Sequence, residues 1–129
     1  MRVLIVEDDE DVAELLECAL ARRYQVTTAQ TAVVALRLLA RAPVDVIVTD
    51  LSMPAMTGED FAAECARRGH VAPVVAMSAD FERLQRAAFA VAWLRKPFVI
   101  SELVQAIDRA VVSMARRAGG FVAGASSVE

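Results

Sequence analysis

The chain is poor in the residues that most often carry redox, metal-thiolate or imidazole chemistry. It has two cysteines, one histidine, one tryptophan and one tyrosine in 129 residues. Cys18 and Cys65 stand far apart, each within a helical pattern. That excludes a disulfide framework and any zinc-type cysteine spacing, and the two read as reduced packing thiols. His70 follows Arg67-Arg68-Gly69 at a helix end and reads as a solvated loop residue, with no second histidine or nearby cysteine to act with it. No apolar run approaches the roughly 20 residues of a membrane span. The opening Met1-Arg2-Val3-Leu4-Ile5-Val6-Glu7-Asp8 turns acidic too soon for a secretory leader, so a cytoplasmic location is expected, without membrane association. A net charge of −3 is too mild to argue for direct nucleic-acid binding. Disorder is excluded as well, because 57% of the residues are hydrophobic.

What is present is an alternation of short apolar runs and helical stretches, of a length that fits one domain. Val3-Leu4-Ile5-Val6 is continuous and apolar, as in a strand covered on both faces. Residues 10–22 carry Val12, Leu15, Leu16, Ala19 and Leu20 at helical spacing. Strands are predicted at Tyr24–Thr28, Val44–Thr49, Pro73–Met77 and Ala92–Leu94. Helices are predicted over 30–42, 58–68, 81–90 and 101–117. Five βα units in series imply a parallel sheet with helices on both sides. Ligands in such sheets collect beyond the C-terminal strand ends. Residues 1–117 therefore form the domain, and 118–129, beginning near Gly119-Gly120, read as a flexible C-terminal tail.

The residues at those strand ends are polar. The first strand ends in Glu7-Asp8-Asp9 and the third in Asp50. Neighbouring parallel strands lie about 5 Å apart, so adjacency crowds these carboxylates into one crevice. Two like charges 4 Å apart repel by about 4 kcal/mol at an effective dielectric of 20, which calls for a cation. Hard oxygen donors with no thiolate or imidazole select Mg²⁺ or a similar ion over zinc. Taken alone, Glu7-Asp8-Asp9 is equally readable as a helix N-cap with its dipole compensation, and Asp9 fits that role. Lysine usage is an independent clue. Of 14 basic residues Lys96 is the only lysine, and it ends the fifth strand before Pro97-Phe98. A compact ammonium on a flexible stem reaches a phosphoryl oxygen as a point charge. Ser78 ends the fourth strand; its hydroxyl suits either a phosphoryl oxygen or an N-cap. The turn Ser52-Met53-Pro54-Ala55-Met56-Thr57-Gly58 lies beside Asp50 and offers a backbone carbonyl to complete a metal shell.

Four segments together resemble the response-regulator receiver domains of bacterial two-component signalling, of the chemotaxis-regulator-like kind. They are Val-Leu-Ile-Val-Glu-Asp-Asp, Val-Ile-Val-Thr-Asp-Leu-Ser-Met-Pro-Ala-Met-Thr-Gly, Val-Val-Ala-Met-Ser-Ala and Trp-Leu-Arg-Lys-Pro-Phe. The resemblance covers residues 2–117. It implies a flavodoxin-like (βα)5 fold with a doubly wound five-stranded parallel sheet of order 2-1-3-4-5. It further implies Asp50 as phosphoacceptor and Mg²⁺ as cofactor. The ion would be held by Asp8, Asp50, Glu7 and the Ser52 main-chain carbonyl. Lys96 would pair with Asp50 and then with the phosphoryl group, ahead of a cis bond to Pro97. Ser78 and Trp93 would form the switch, and the face of helix four, strand five and helix five would be the output surface. The implied partners are a sensor histidine kinase or phosphotransfer protein, a downstream protein target and, through the output face, a homodimer. Such a protein is a switch that assists its own phosphorylation and dephosphorylation, not a turnover enzyme. The spacing departs from the family in one place: Ser78 and Lys96 are 18 positions apart, about four fewer than usual, so helix four is shortened or its loop trimmed. That departure keeps a second reading open, a receiver-like protein-binding module that is not phosphorylated. A phosphatase using an aspartate nucleophile is disfavoured, since Asp50 is followed by Leu51-Ser52 and not by a second aspartate two positions on.

Overall fold

The computed structural model describes the backbone of residues 1–126 and the side chains of residues 1–117. Five strands and five helices alternate: β1 (Arg2–Val6), α1 (Glu10–Leu20), β2 (Gln25–Ala29), α2 (Ala32–Arg41), β3 (Val46–Asp50), α3 (Gly58–Arg67), β4 (Val74–Ser78), α4 (Phe81–Gln85), β5 (Ala92–Arg95) and α5 (Ile100–Ser126). The strands form one parallel sheet of order β2-β1-β3-β4-β5, the order expected. The central strands β3 and β4 are buried at every residue. Their apolar stretches, Val46–Val48 and Val74–Met77, are what a parallel sheet covered on both faces requires.

Each face has its own core. Val3, Ile5, Val48, Val75 and Met77 point toward α1 and α5, where Leu16, Leu20, Leu103 and Ile107 meet them. Leu4, Val6 and Ile47 point the other way, onto Leu36 and Leu39 of α2 and Phe61 of α3. A third, small cluster joins Leu51, just past β3, to Ala76 of β4 and Leu84 of α4. Four of the helices start on side-chain caps, of which the sequence marks Asp9, whereas α4 is capped by Asp80 and not by Ser78. Asp9 caps α1, accepting from the Asp11 and Val12 amides, and Thr31, Thr57 and Asp80 cap α2, α3 and α4. Helix α3 ends in a Schellman turn. Gly69, at φ +82°, donates to the Ala66 carbonyl, and His70 donates to that of Cys65.

Three expectations need correction. Helix α4 spans five residues, Phe81–Gln85, not 81–90, because after Gln85 the chain folds into turns with Ala87 and Ala90 bonded locally. The shortening foreseen from the Ser78–Lys96 spacing therefore falls in this helix. Cys65 is buried, but Cys18 is exposed on α1 and packs against nothing central. Helix α5 runs on to Ser126, past residue 117 where the apolar stripe ends. The expected tail, 118–129, lies outside the residues whose side chains are described, and its last three positions lie outside the described residues altogether. Among the described residues, no helix is long and apolar enough to cross a membrane.

Candidate functional site

All the chemistry gathers at the C-terminal rim of the sheet. β1 lies between β2 and β3, so its end, Glu7-Asp8, is delivered beside Asp50 at the end of β3. Glu7, Asp8 and Asp50 each offer an oxygen, and these lie within 4.8 Å of one another. Glu7 and Asp50 are buried, at 1% and 5% exposure, whereas Asp8 is exposed. Lys96 enters from the end of β5 and is joined to Pro97 by a cis peptide bond. Its Nζ donates to Glu7 Oε1 at 2.8 Å and to Asp50 Oδ2. The other Asp50 oxygen, Oδ1, accepts the Ser52 amide at 2.8 Å.

The electrostatics follow from this arrangement. Burial raises the Glu7 carboxyl above its ordinary range, against the opposing pull of Lys96. Burial would lower the Lys96 ammonium, but its pairing with Asp50 and Glu7 outweighs that and holds it above the ordinary lysine value. With three carboxylates and one ammonium in contact, the inner set carries a net −2 when fully ionised. All its donors are oxygens, and the solvent-facing Asp8 leaves space for water in a coordination shell. That donor set fits Mg²⁺, which keeps several waters and takes one or two carboxylates.

Of the remaining site residues read from the sequence, Ser78 and Ser52 reach the same rim and Trp93 does not. Ser78 is buried at the end of β4, and its Oγ accepts the Asp80 amide at 3.0 Å. The N-cap of α4 is Asp80, whose carboxylate takes the Arg83 amide, so the hydroxyl of Ser78 steadies the cap from outside the helix. Ser52 directly follows Leu51 beside Asp50, but its amide, not its carbonyl, is the group seen in contact with the aspartate. Trp93 lies away from the carboxylates, 42% exposed on β5, with its ring edge-on to Phe81 at 5.4 Å.

The family model described as "Response regulator receiver domain" matches residues 3–108. The chain belongs to the response regulator receiver domain family. Its Glu7-Asp8-Asp50 cluster and Lys96–Asp50 ion pair match the phosphoacceptor and Mg²⁺ site of receiver domains. Among curated relatives of this receiver is the transcriptional regulatory protein PdtaR of Mycobacterium tuberculosis. It is 36% identical over 119 residues, covering 85% of this chain and 56% of the relative. The chemotaxis response regulator CheY4 of Vibrio cholerae superposes with a TM-score of 0.78 at 29% identity, covering 84% of this chain and 97% of that one. TrrA of Thermotoga maritima, solved in complex with Mg²⁺ and BeF, superposes at 0.76 with 25% identity over 84% of this chain and 97% of that one. The receiver spans between 11% and 56% of the length of the first curated relatives it matches.

The sequence reading missed one residue of this rim, Arg83. In the first turn of α4, its guanidinium reaches Glu59 of α3, the Leu51 carbonyl and the Ser52 hydroxyl. No local pattern marks it, since its partners lie 24 to 32 positions earlier. The available hint is that Glu59 and Arg83 each follow a helix cap at that rim.

Proposed function

We propose that this receiver takes a phosphoryl group onto Asp50 from the phosphohistidine of a sensor histidine kinase or phosphotransfer protein, and thereby switches a protein-binding face. The observation that carries the reading is the buried Asp50 held between the Lys96 ammonium and the Ser52 amide, with Glu7 and Asp8 alongside. One carboxylate oxygen of Asp50 attacks phosphorus in line. The P–N bond breaks as the P–O bond forms, and the imidazole leaves to take up a proton. Lys96 balances charge on the phosphoryl oxygens. Asp8, Asp50, Glu7 and the Ser52 carbonyl would hold Mg²⁺, which when bound supplies positive charge to the same oxygens. The complex of TrrA with Mg²⁺ and BeF supports that assignment. In the resting structure Glu7 also accepts from Lys96.

The acyl phosphate carries up to two negative charges and new acceptors. The Ser78 hydroxyl is placed to leave the Asp80 amide for one of them. Trp93, edge-on to Phe81 at the start of α4, is the side chain positioned to register the change on the face of α4, β5 and α5. A docking place for the phosphodonor adjoins the site. Val12, Leu15, Pro97, Phe98 and Ile100 line an apolar groove beside Lys96, and Leu15 is 64% exposed. A downstream protein, or a second copy of the chain, would read the output face.

The five-residue α4 favours a second reading, a receiver-like binding module that is not phosphorylated. Incubation with acetyl phosphate and Mg²⁺, followed by intact-mass measurement, separates the two. A gain of one phosphoryl group on the wild type, abolished by Asp50→Asn, is expected. An unlabelled wild type, under conditions that label another receiver, refutes the proposal.

A further inference from the structure

The five residues of α4 give it almost no hydrogen-bonded length of its own, so something else must fix it. Two contacts do, and both end on the residues that follow Asp50. Leu84 is buried against the Leu51 side chain in the small third cluster. Its neighbour Arg83 uses all three of its guanidinium nitrogens. Nε and Nη2 make a fork on the Glu59 carboxylate at 2.6 and 2.7 Å, Nη2 also donates to the Leu51 carbonyl at 2.6 Å, and Nη1 donates to Ser52 Oγ at 2.9 Å. The same Ser52 donates its amide to Asp50 Oδ1. The Arg83 amide in turn is tied through Asp80 to Ser78 Oγ.

We propose that Arg83 is a positioning residue for phosphoryl transfer, clamping the Leu51–Ser52 peptide so that the Ser52 amide aims one oxygen of Asp50. The inference rests on Asp50 being the phosphoacceptor. It adds that the first turn of α4 is part of the apparatus that orients the acceptor, in addition to any role in output. The guanidinium suits this task because a planar fork meets a carboxylate with two nitrogens and still presents a third to a neighbouring group. An ammonium cannot span the same three acceptors at once. Displacement of a reacting group by about 1 Å costs up to roughly 100-fold in rate, so partial release of the peptide should cost about tenfold.

The test is the initial rate of acetyl phosphate labelling with Mg²⁺, followed by intact mass, for wild type, Arg83→Met, Arg83→Lys, Ser52→Ala and the double variant Arg83→Met/Ser52→Ala. Arg83→Met is expected to label about tenfold more slowly, and Arg83→Lys to recover less than half of that loss. The double variant should be no slower than Arg83→Met, because both changes break one chain of contacts. In the ¹⁵N–¹H spectrum the Ser52 amide resonance should move from its wild-type position in Arg83→Met and less so in Arg83→Lys. If Arg83→Met does not fold, Arg83→Lys, which keeps the charge, carries the comparison. Labelling of Arg83→Met within twofold of wild type overturns the inference, as do effects of the two changes that multiply in the double variant. A wild type that takes up no phosphoryl group overturns the underlying reading as well, so the two failures are told apart in one experiment.

Discussion

Gly58→Ala adds one methyl group where two backbones already touch. An ideal Cβ on Gly58 would lie 2.5 Å from the Asp50 carbonyl oxygen, 2.7 Å from Leu51 Cα and 2.8 Å from Leu51 Cδ2. Real Cβ atoms keep more than 3.0 Å from such neighbours, so the start of α3 and the end of β3 must part by about half an ångström. Neither side yields easily. Asp50 is the last residue of a strand buried throughout, and the Gly58 amide is bonded to the Leu51 carbonyl at 2.9 Å. Overpacking of this kind costs about 1–3 kcal/mol. With a urea slope of roughly 2 kcal/mol per molar, that lowers the unfolding midpoint by about 1 M. Because the displaced atoms include the backbone of Asp50, phosphoryl uptake should also slow by about tenfold. Gly69→Ala is the comparison. A Cβ there meets nothing within 4 Å, but φ is +82°, so it should cost about 1 kcal/mol through backbone strain alone and leave labelling unchanged. Urea titrations paired with acetyl phosphate labelling check both. A Gly58→Ala protein with the wild-type midpoint and wild-type labelling would refute the reasoning.

Three further outcomes are expected. Lys96→Met leaves Glu7 and Asp50 buried side by side without their cation. Loss of one partner from a buried pair costs about 3–5 kcal/mol, and since the Lys96 side chain is 28% exposed the lower end applies, read as a reduced urea midpoint in EDTA that Mg²⁺ partly restores. An unchanged midpoint in EDTA would count against the pairing. Glu59, through its hydrogen bonds to Arg83, and Glu64, held at about 2 by Arg67 and Arg68, both lie below the ordinary carboxylate value of 4.5. Their stabilisation is present above that value and is lost as pH falls through the lowered folded values. Glu59→Gln should therefore lose less midpoint than wild type between pH 5 and pH 3, and an identical loss would exclude the pairing. Cys18 is exposed, while burial pushes the Cys65 thiol up to about 11. A disulfide reagent at pH 8 should titrate one thiol at once and the second only with denaturant, and two fast thiols would contradict the packing of α3.

The parts of this fold legible in the sequence are those fixed by local pattern. Apolar runs such as Val3–Val6 name the buried strands, and Asp9 announces its helix as a cap. The acidic ends of β1 and β3 predicted a shared crevice because chain order and right-handed crossovers leave few ways to wind five βα units. The isolated lysine was informative because the chain otherwise uses arginine. What stayed hidden depends on distances between elements. The contacts of Arg83 join residues far apart in sequence, and the need for glycine at position 58 arises from Asp50 and Leu51 pressing against it. The end of α4 was misjudged because Arg86-Ala87-Ala88 carries ordinary helix formers. There Ala87 takes part in the third core cluster and Val91 must reach Val74 at the edge of β4, so tertiary demands override propensity.

Lys96 grips two carboxylates, and only one of them is the acceptor. If Asp50 carries a phosphoryl group as an acyl phosphate, Glu7 is still a second acceptor for the ammonium. Lys96 is thus tethered beside Asp50 by a contact that phosphoryl transfer does not consume.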